Sequence, residues 1–96
     1  MEFDDSTQEV IWDKGSQRIK RESAYLFLKL LFEKQGVLTF AEIKSQTTIK
    51  GISTPSTVVG ILKKELKYTF PYEILTVVKE GYWLIPKQKM KTEYST

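Results

Sequence analysis

The first third of the chain alternates short apolar runs with polar breaks. Val10-Ile11-Trp12 is β-branched and aromatic, and Gln17-Arg18-Ile19-Lys20 can return beside it across the turn signal Lys14-Gly15-Ser16. Phe3 marks an earlier strand, set off by the polar turn Asp4-Asp5-Ser6-Thr7. The pattern predicts a small antiparallel sheet ahead of the helices. From residue 24 the period changes. Tyr25, Leu28, Leu31 and Phe32 recur at helical spacing, and Leu26, Phe27 and Leu30 widen the stripe. A helix over 24–35 follows, with Ser23 as its cap and Gly36 as a left-handed stop.

Thr39-Phe40-Ala41-Glu42 has capping-box spacing, in which the hydroxyl accepts from the third backbone N–H and the carboxylate reaches back to the first. It predicts a short helix over 40–46. Residues 47–53 contain Gly51 and β-branched side chains and read as a loop. Thr54-Pro55 opens a third helix, because proline at the first helical position lacks only an N–H that would have no partner there. That helix runs over 55–67, and Phe70-Pro71 ends it. Ile74-Leu75-Thr76-Val77-Val78 and Tyr82-Trp83-Leu84-Ile85 are strand sequences. Lys79-Glu80-Gly81 joins them as a hairpin loop, with positive φ expected at Gly81. Residues 87–96 have no buried periodicity and read as a flexible basic tail. The order of sheet, three helices and hairpin predicts one α+β domain over 1–86. It has the layout of a winged helix-turn-helix, with an N-terminal antiparallel sheet and a C-terminal β-hairpin wing.

Composition narrows the chemistry. The 96 residues suit one domain with one modest core. The sequence contains neither cysteine nor histidine. Disulfide frameworks, thiolate metal sites and His-based catalysis therefore lose their usual residues, and no catalytic residue, metal or cofactor is expected. No apolar run approaches the ~20 residues of a membrane span. The acidic first residues lack the basic start of a secretory signal. A cytoplasmic location is expected, including as the cytoplasmic domain of a membrane-anchored regulator. Charge is unevenly spread: residues 1–13 carry five acids and no base, a charge of −5, while residues 14–96 carry all fifteen Lys and Arg against seven acids, a charge of +8. A basic body with one acidic edge suits a polyanionic partner on one side.

Leu62-Lys63-Lys64-Glu65-Leu66, then Pro71, then Ile74-x-Thr76-Val77-x-x-x-Gly81-Tyr82-x-Leu84 resembles the C-terminal half of OmpR/PhoB-type effector domains and of ToxR/CadC-like transcriptional regulators. Leu28-x-x-Leu31 and Gly36-Val37-Leu38-Thr39-x-x-Glu42-Ile43 are similar to the family's first and second helices, and residues 3–19 to its four-stranded N-terminal sheet. The resemblance covers about residues 3–85. It implies a bacterial transcriptional regulator that binds double-stranded DNA sequence-specifically, with the third helix in the major groove and the wing at the adjacent minor groove. It also implies RNA polymerase as a partner of the 47–53 loop, which here carries Ile49 and Ile52. The sequence departs from the family where basic residues are usual: Val78 follows Thr76-Val77, Trp83 precedes the closing leucine, and 55–67 holds no arginine.

About 100° of rotation per residue puts Val59, Leu62 and Leu66 on the core side of the third helix. Thr54, Thr57, Gly60, Ile61, Lys64 and Tyr68 fall opposite, flanked by Lys63 and Lys67. As a DNA surface, Thr57 and Lys64 face bases and Lys63 and Lys67 face phosphates. Gly60 allows close backbone approach, Ile61 meets a thymine methyl, and Lys79 reaches the minor groove from the wing. Arg18, Lys20 and Arg21 either touch the DNA backbone or balance the acidic N-terminus. The bland reading is the solvated face of an amphipathic helix. The competing function is a degenerate winged helix serving protein–protein interaction or homodimerisation, with Ile49, Ile52, Val78 and Trp83 as contacts. Strand alternation sends Trp83 away from its own core, to be covered by the N-terminal sheet, a partner or a second copy.

Overall fold

The computed structural model describes residues 1–45 and 55–87. The described residues are α+β, with three helices and two small antiparallel sheets among them, in the order β1 (Glu2–Asp4), β2 (Glu9–Trp12), β3 (Gly15–Arg18), α1 (Glu22–Lys34), β4 (Val37–Thr39), α2 (Phe40–Ser45), α3 (Pro55–Glu65), β5 (Tyr72–Val77) and β6 (Gly81–Pro86).

The first sheet has the order β1-β2-β3. It has three strands where the family resemblance implied four. Alternation along β2 sends Val10 and Trp12 into the core, while Glu9 and Ile11 stay partly exposed. The tight turn falls at Asp13-Lys14, so Gly15 and Ser16 belong to β3. Ile19, fully buried, closes the unit by donating its N–H to the Gln8 carbonyl at 2.9 Å.

Helix α1 starts earlier than the sequence suggested. Arg21 is the N-cap, in an extended conformation and with no side-chain capping bond, so Ser23 lies inside the first turn. Glu22 in that turn faces the positive helix end. The left-handed residue at the C-terminus is Gln35, at φ 55° and ψ 51°, one position before the expected Gly36. The long apolar face buries Ala24, Tyr25, Phe27, Leu28 and Leu31, the centre of a core that also takes Val10, Ile19, Leu38, Leu62 and Phe70.

The second sheet has the order β4-β6-β5. Its middle strand is β6, so residues 37–39 close a sheet whose other strands lie more than thirty positions later. The sequence pattern gave no strand at 37–39. Leu38 lies opposite Tyr82 and Thr39 opposite Gly81. This pairing explains Gly81 differently from the expected turn. A Cβ there would sit 1.9 Å from the Leu38 carbonyl oxygen, so only glycine lets β4 lie this close. The positive φ belongs to Lys79 instead, at 64°.

Thr39 and Glu42 form the capping box as read. Glu42 Oε1 accepts from Thr39 N at 3.0 Å and Thr39 Oγ1 accepts from Glu42 N at 3.2 Å. Helix α3 ends at Glu65, two residues before the predicted end at 67. Its buried residues are Val58, Val59 and Leu62, with Leu66 partly buried just beyond. Lys87 is also in place: it donates its N–H to Pro71 O at 2.9 Å and its ammonium to Tyr68 O at 2.6 Å. The proposed tail beyond it, 88–96, lies outside the described residues, as does the 46–54 stretch.

Candidate nucleic-acid interface

Helix α3 buries Val58, Val59 and Leu62, which fixes what its other side presents. Ser56, Thr57, Lys63 and Lys64 are exposed, and Gly60 and Ile61 are half-buried. Ile61, read from sequence as an outward apolar residue, therefore shelters part of its side chain. Thr54, Ile49 and Ile52 lie outside the described residues. No acid stands in the first turn of α3, and Lys63 and Lys64 occupy the last. Two lysines there complement the helix dipole on their own account, so their presence alone does not require a ligand.

Gly60 is different. It lies inside the helix, where glycine costs ~1 kcal/mol relative to alanine. Among the described residues an added Cβ would meet nothing within 4 Å. Packing among the described residues therefore gives no reason for a glycine at this position, in contrast to Gly81.

Lys67 is exposed but engaged. Its ammonium donates to the Ser16 carbonyl at 3.1 Å, and its N–H donates to Gln17 Oε1 at 2.8 Å. Gln17 Nε2 donates in turn to the Glu65 carbonyl. One side-chain amide thus satisfies a carbonyl that the helix end leaves without an intrahelical partner, and joins α3 to the first sheet. Sequence reading missed Gln17, since the bond spans about fifty positions and glutamine carries no local capping signature. Lys67 accordingly leans toward β3, while Lys63 and Lys64 on α3 make no such bond among the described residues.

The β5–β6 turn is closed by the Glu80 N–H on the Val77 carbonyl at 3.0 Å. Lys79 takes the third turn position, where a type II turn requires positive φ. Lys79 is exposed at the tip, beside Val78, which keeps 76% of its surface. Farther down the hairpin, Trp83 stands between Leu75 and Val37 in register, on the sheet face turned from the core. Trp83 is 41% exposed and Leu75 40%. Arg18, Lys20 and Arg21 are exposed on the first sheet and the entry to α1.

Two polar clusters brace the scaffold. Asp5 accepts from the Tyr25 hydroxyl at 2.7 Å and from Lys29 at 3.0 Å. Those bonds hold the Asp5 carboxyl below its ordinary range. Glu42 is held down to about 2, first by the Lys34 ammonium and then by the Thr39 N–H. Among the described residues no group of three His, Cys, Asp or Glu side chains could hold a metal ion. No described helix is long and apolar enough to cross a membrane. No protein-family model, curated protein or solved structure matches the chain.

Proposed function

We propose that this chain is a winged helix-turn-helix domain that binds double-stranded DNA as a transcriptional regulator. In this reading α2 and α3 are the helix-turn-helix pair and α3 enters the major groove. The β5–β6 hairpin is the wing and lies along the adjacent minor groove. Thr57 and Lys64 face base edges, Lys63 faces a phosphate, and Lys79 reaches the neighbouring backbone from the turn. The observation that carries the proposal is Gly60. A helix-interior glycine that no described residue crowds has no use in the packing of the described residues, and close approach of a duplex to the α3 backbone supplies one. Basic charge from residue 14 onward and the resemblance to OmpR/PhoB-type regulators support the same assignment. Contact with RNA polymerase, which the resemblance implies, and a cytoplasmic location belong to the proposal.

The test is a titration of fluorescent genomic DNA fragments against the wild-type chain and a Lys63→Glu/Lys64→Glu variant at two salt concentrations. Affinity that falls steeply with salt, with a slope of about −0.9 per phosphate contact, and that collapses in the variant supports the reading. Equal affinity of the two chains removes α3 as the DNA-binding element.

A second reading rests on a separate observation. Leu75, Val78 and Trp83 are large apolar side chains exposed on the hairpin. Aromatic anchors of this sort are enriched at protein interfaces. A winged helix that had turned to protein–protein contact would use this face in place of α3.

A further inference from the structure

Strand β5 is an edge of its sheet, with β6 on one side and no strand on the other among the described residues. Which of its backbone groups are free follows from two bonds. Lys87 N–H donates to Pro71 O, and Glu80 N–H donates to Val77 O. Antiparallel pairs alternate between bonded and non-bonded. Glu73, Leu75 and Val77 therefore direct their N–H and C=O groups to β6. Tyr72, Ile74 and Thr76 direct theirs outward.

Exposed edges in native proteins are commonly blunted by charged side chains, lysine above all, by proline or by a bulge. Residues 72–77, Tyr-Glu-Ile-Leu-Thr-Val, carry a single charge, Glu73, contain neither lysine nor proline, and pair with β6 in unbroken register. Beside this open edge lie the two exposed apolar residues of the outer sheet face, Leu75 and Trp83.

We propose that β5 pairs antiparallel with β5 of a second copy of this chain, joining two three-stranded sheets into one of six strands. The occupant is argued from the self-complementarity of the edge. A two-fold axis at Leu75 puts Ile74 opposite Thr76 of the other copy, so the outward groups of both residues bond each other twice over. Leu75 then faces its own counterpart as a non-bonded pair, the closer kind, about 4.5 Å between Cα atoms. Glu73 falls opposite Val77 of the other copy, the last residue before the turn that carries Lys79, so the acid of one copy lies toward the cation of the other. No like charges stand opposite one another. The contact is isologous and closes on itself, giving a dimer and no fibre. It does not depend on DNA binding and is tested without DNA.

The chain has no cysteine, so a single introduced thiol reports register directly. Sedimentation equilibrium measures self-association. Mild oxidation of Leu75→Cys, Glu73→Cys and Val78→Cys variants measures which residue lies on the axis. A Thr76→Pro variant removes one outward N–H and leaves the β6 ladder its bonds. A strand-edge patch lies at the low end of interface sizes, below about 1,200 Å², so the dimer is weak and appears at high chain concentration. The expected result is a concentration-dependent dimer, at least tenfold faster crosslinking in the Leu75→Cys variant than in the other two, and loss of the dimer in the Thr76→Pro variant at an unchanged far-ultraviolet spectrum. A wild-type chain monomeric up to about 1 mM, or equal crosslinking at all three positions, overturns the proposal, whether or not the edge then accepts a strand from another protein.

Discussion

The side-chain amide of Gln17, in β3, accepts the backbone N–H of Lys67 at 2.8 Å and thereby holds the end of α3 from another sheet. Its Nε2 donates to the Glu65 carbonyl in the same grip. Both bonds join backbone groups that the helix itself does not pair. Removing the amide exposes them to water at the helix end, a loss of about 1 kcal/mol per bond.

The Gln17→Ala variant is therefore expected to lose about 1–2 kcal/mol. For a domain of this length each kcal/mol lowers the melting temperature by roughly 4–8 °C. Hydrogen exchange should quicken in residues 63–67 more than in α1. A Gln17→Glu variant keeps the acceptor and loses the donor, so it should fall between. A Gln17→Ala chain that melts with the wild type and exchanges like it would show that the amide does not secure the helix end.

Gly60 separates folding from binding. No described residue stands within 4 Å of a Cβ added there, so Gly60→Ala removes backbone entropy from the unfolded chain and adds no clash with them. Stability should rise by about 0.5–1 kcal/mol, read as a shift in the denaturant midpoint. If a duplex approaches the α3 backbone there, the same variant should bind DNA more weakly despite being more stable. A gain in stability with undiminished DNA affinity would detach Gly60 from the proposed interface. Gly81→Ala, by contrast, drives a Cβ onto the Leu38 carbonyl and should unfold the second sheet.

What could be seen in the sequence was what is local. The Thr39–Glu42 box spans four residues, and all its donors and acceptors lie within one turn. The stripe through Tyr25, Leu28 and Leu31 follows from helical period alone. The misreadings were non-local or marginal. Strand β4 is three residues long and exists because β6 pairs with it. Gly81 looked like a turn glycine, since the Leu38 carbonyl that excludes a side chain lies forty-three positions away. Lys79 takes the left-handed turn position in its stead, a conformation against its own preference that the register on either side imposes. On the candidate surface, Thr57, Lys63 and Lys64 are exposed as helical rotation predicted. Lys67 is exposed too, but its bond to Ser16 depends on where β3 packs, which no helical wheel contains.

Glu42 ties stability to pH. Its carboxyl is held at about 2 in the folded chain against an ordinary 4.5, first by Lys34 and then by Thr39. The folded value is depressed, so the stabilisation is fully present above the unfolded pKa and is lost as pH falls from about 4.5 toward about 2. A Glu42→Gln variant should flatten the stability curve across that window and differ most from the wild type at neutral pH. Added salt should weaken the Lys34 pair more than the two short bonds with Thr39. Parallel acid titrations of the two chains check this. Curves that keep the same slope between pH 5 and pH 2 would show that Glu42 is not the group responsible.

Lys79 offers the sharpest division between the wing as a fold element and the wing as a DNA contact. Its backbone sits at φ 64°, where a non-glycine residue is strained by about 1 kcal/mol or more. Glycine adopts that conformation freely, so Lys79→Gly should raise the melting temperature. The turn bond from Glu80 to Val77 uses only backbone and survives the substitution. The same change deletes the cation at the hairpin tip. If that ammonium neutralises a phosphate, DNA affinity should fall and the log–log salt slope should shrink by about 1, uniformly across DNA sequences. Lys79→Arg keeps the charge and the strain, and should leave both affinity and melting temperature near wild type. A glycine variant that is stabilised and binds DNA with the wild-type salt slope would show that the tip serves the turn alone. DNA recognition would then have to rest on α3, where Lys63, Lys64 and Thr57 remain to carry it.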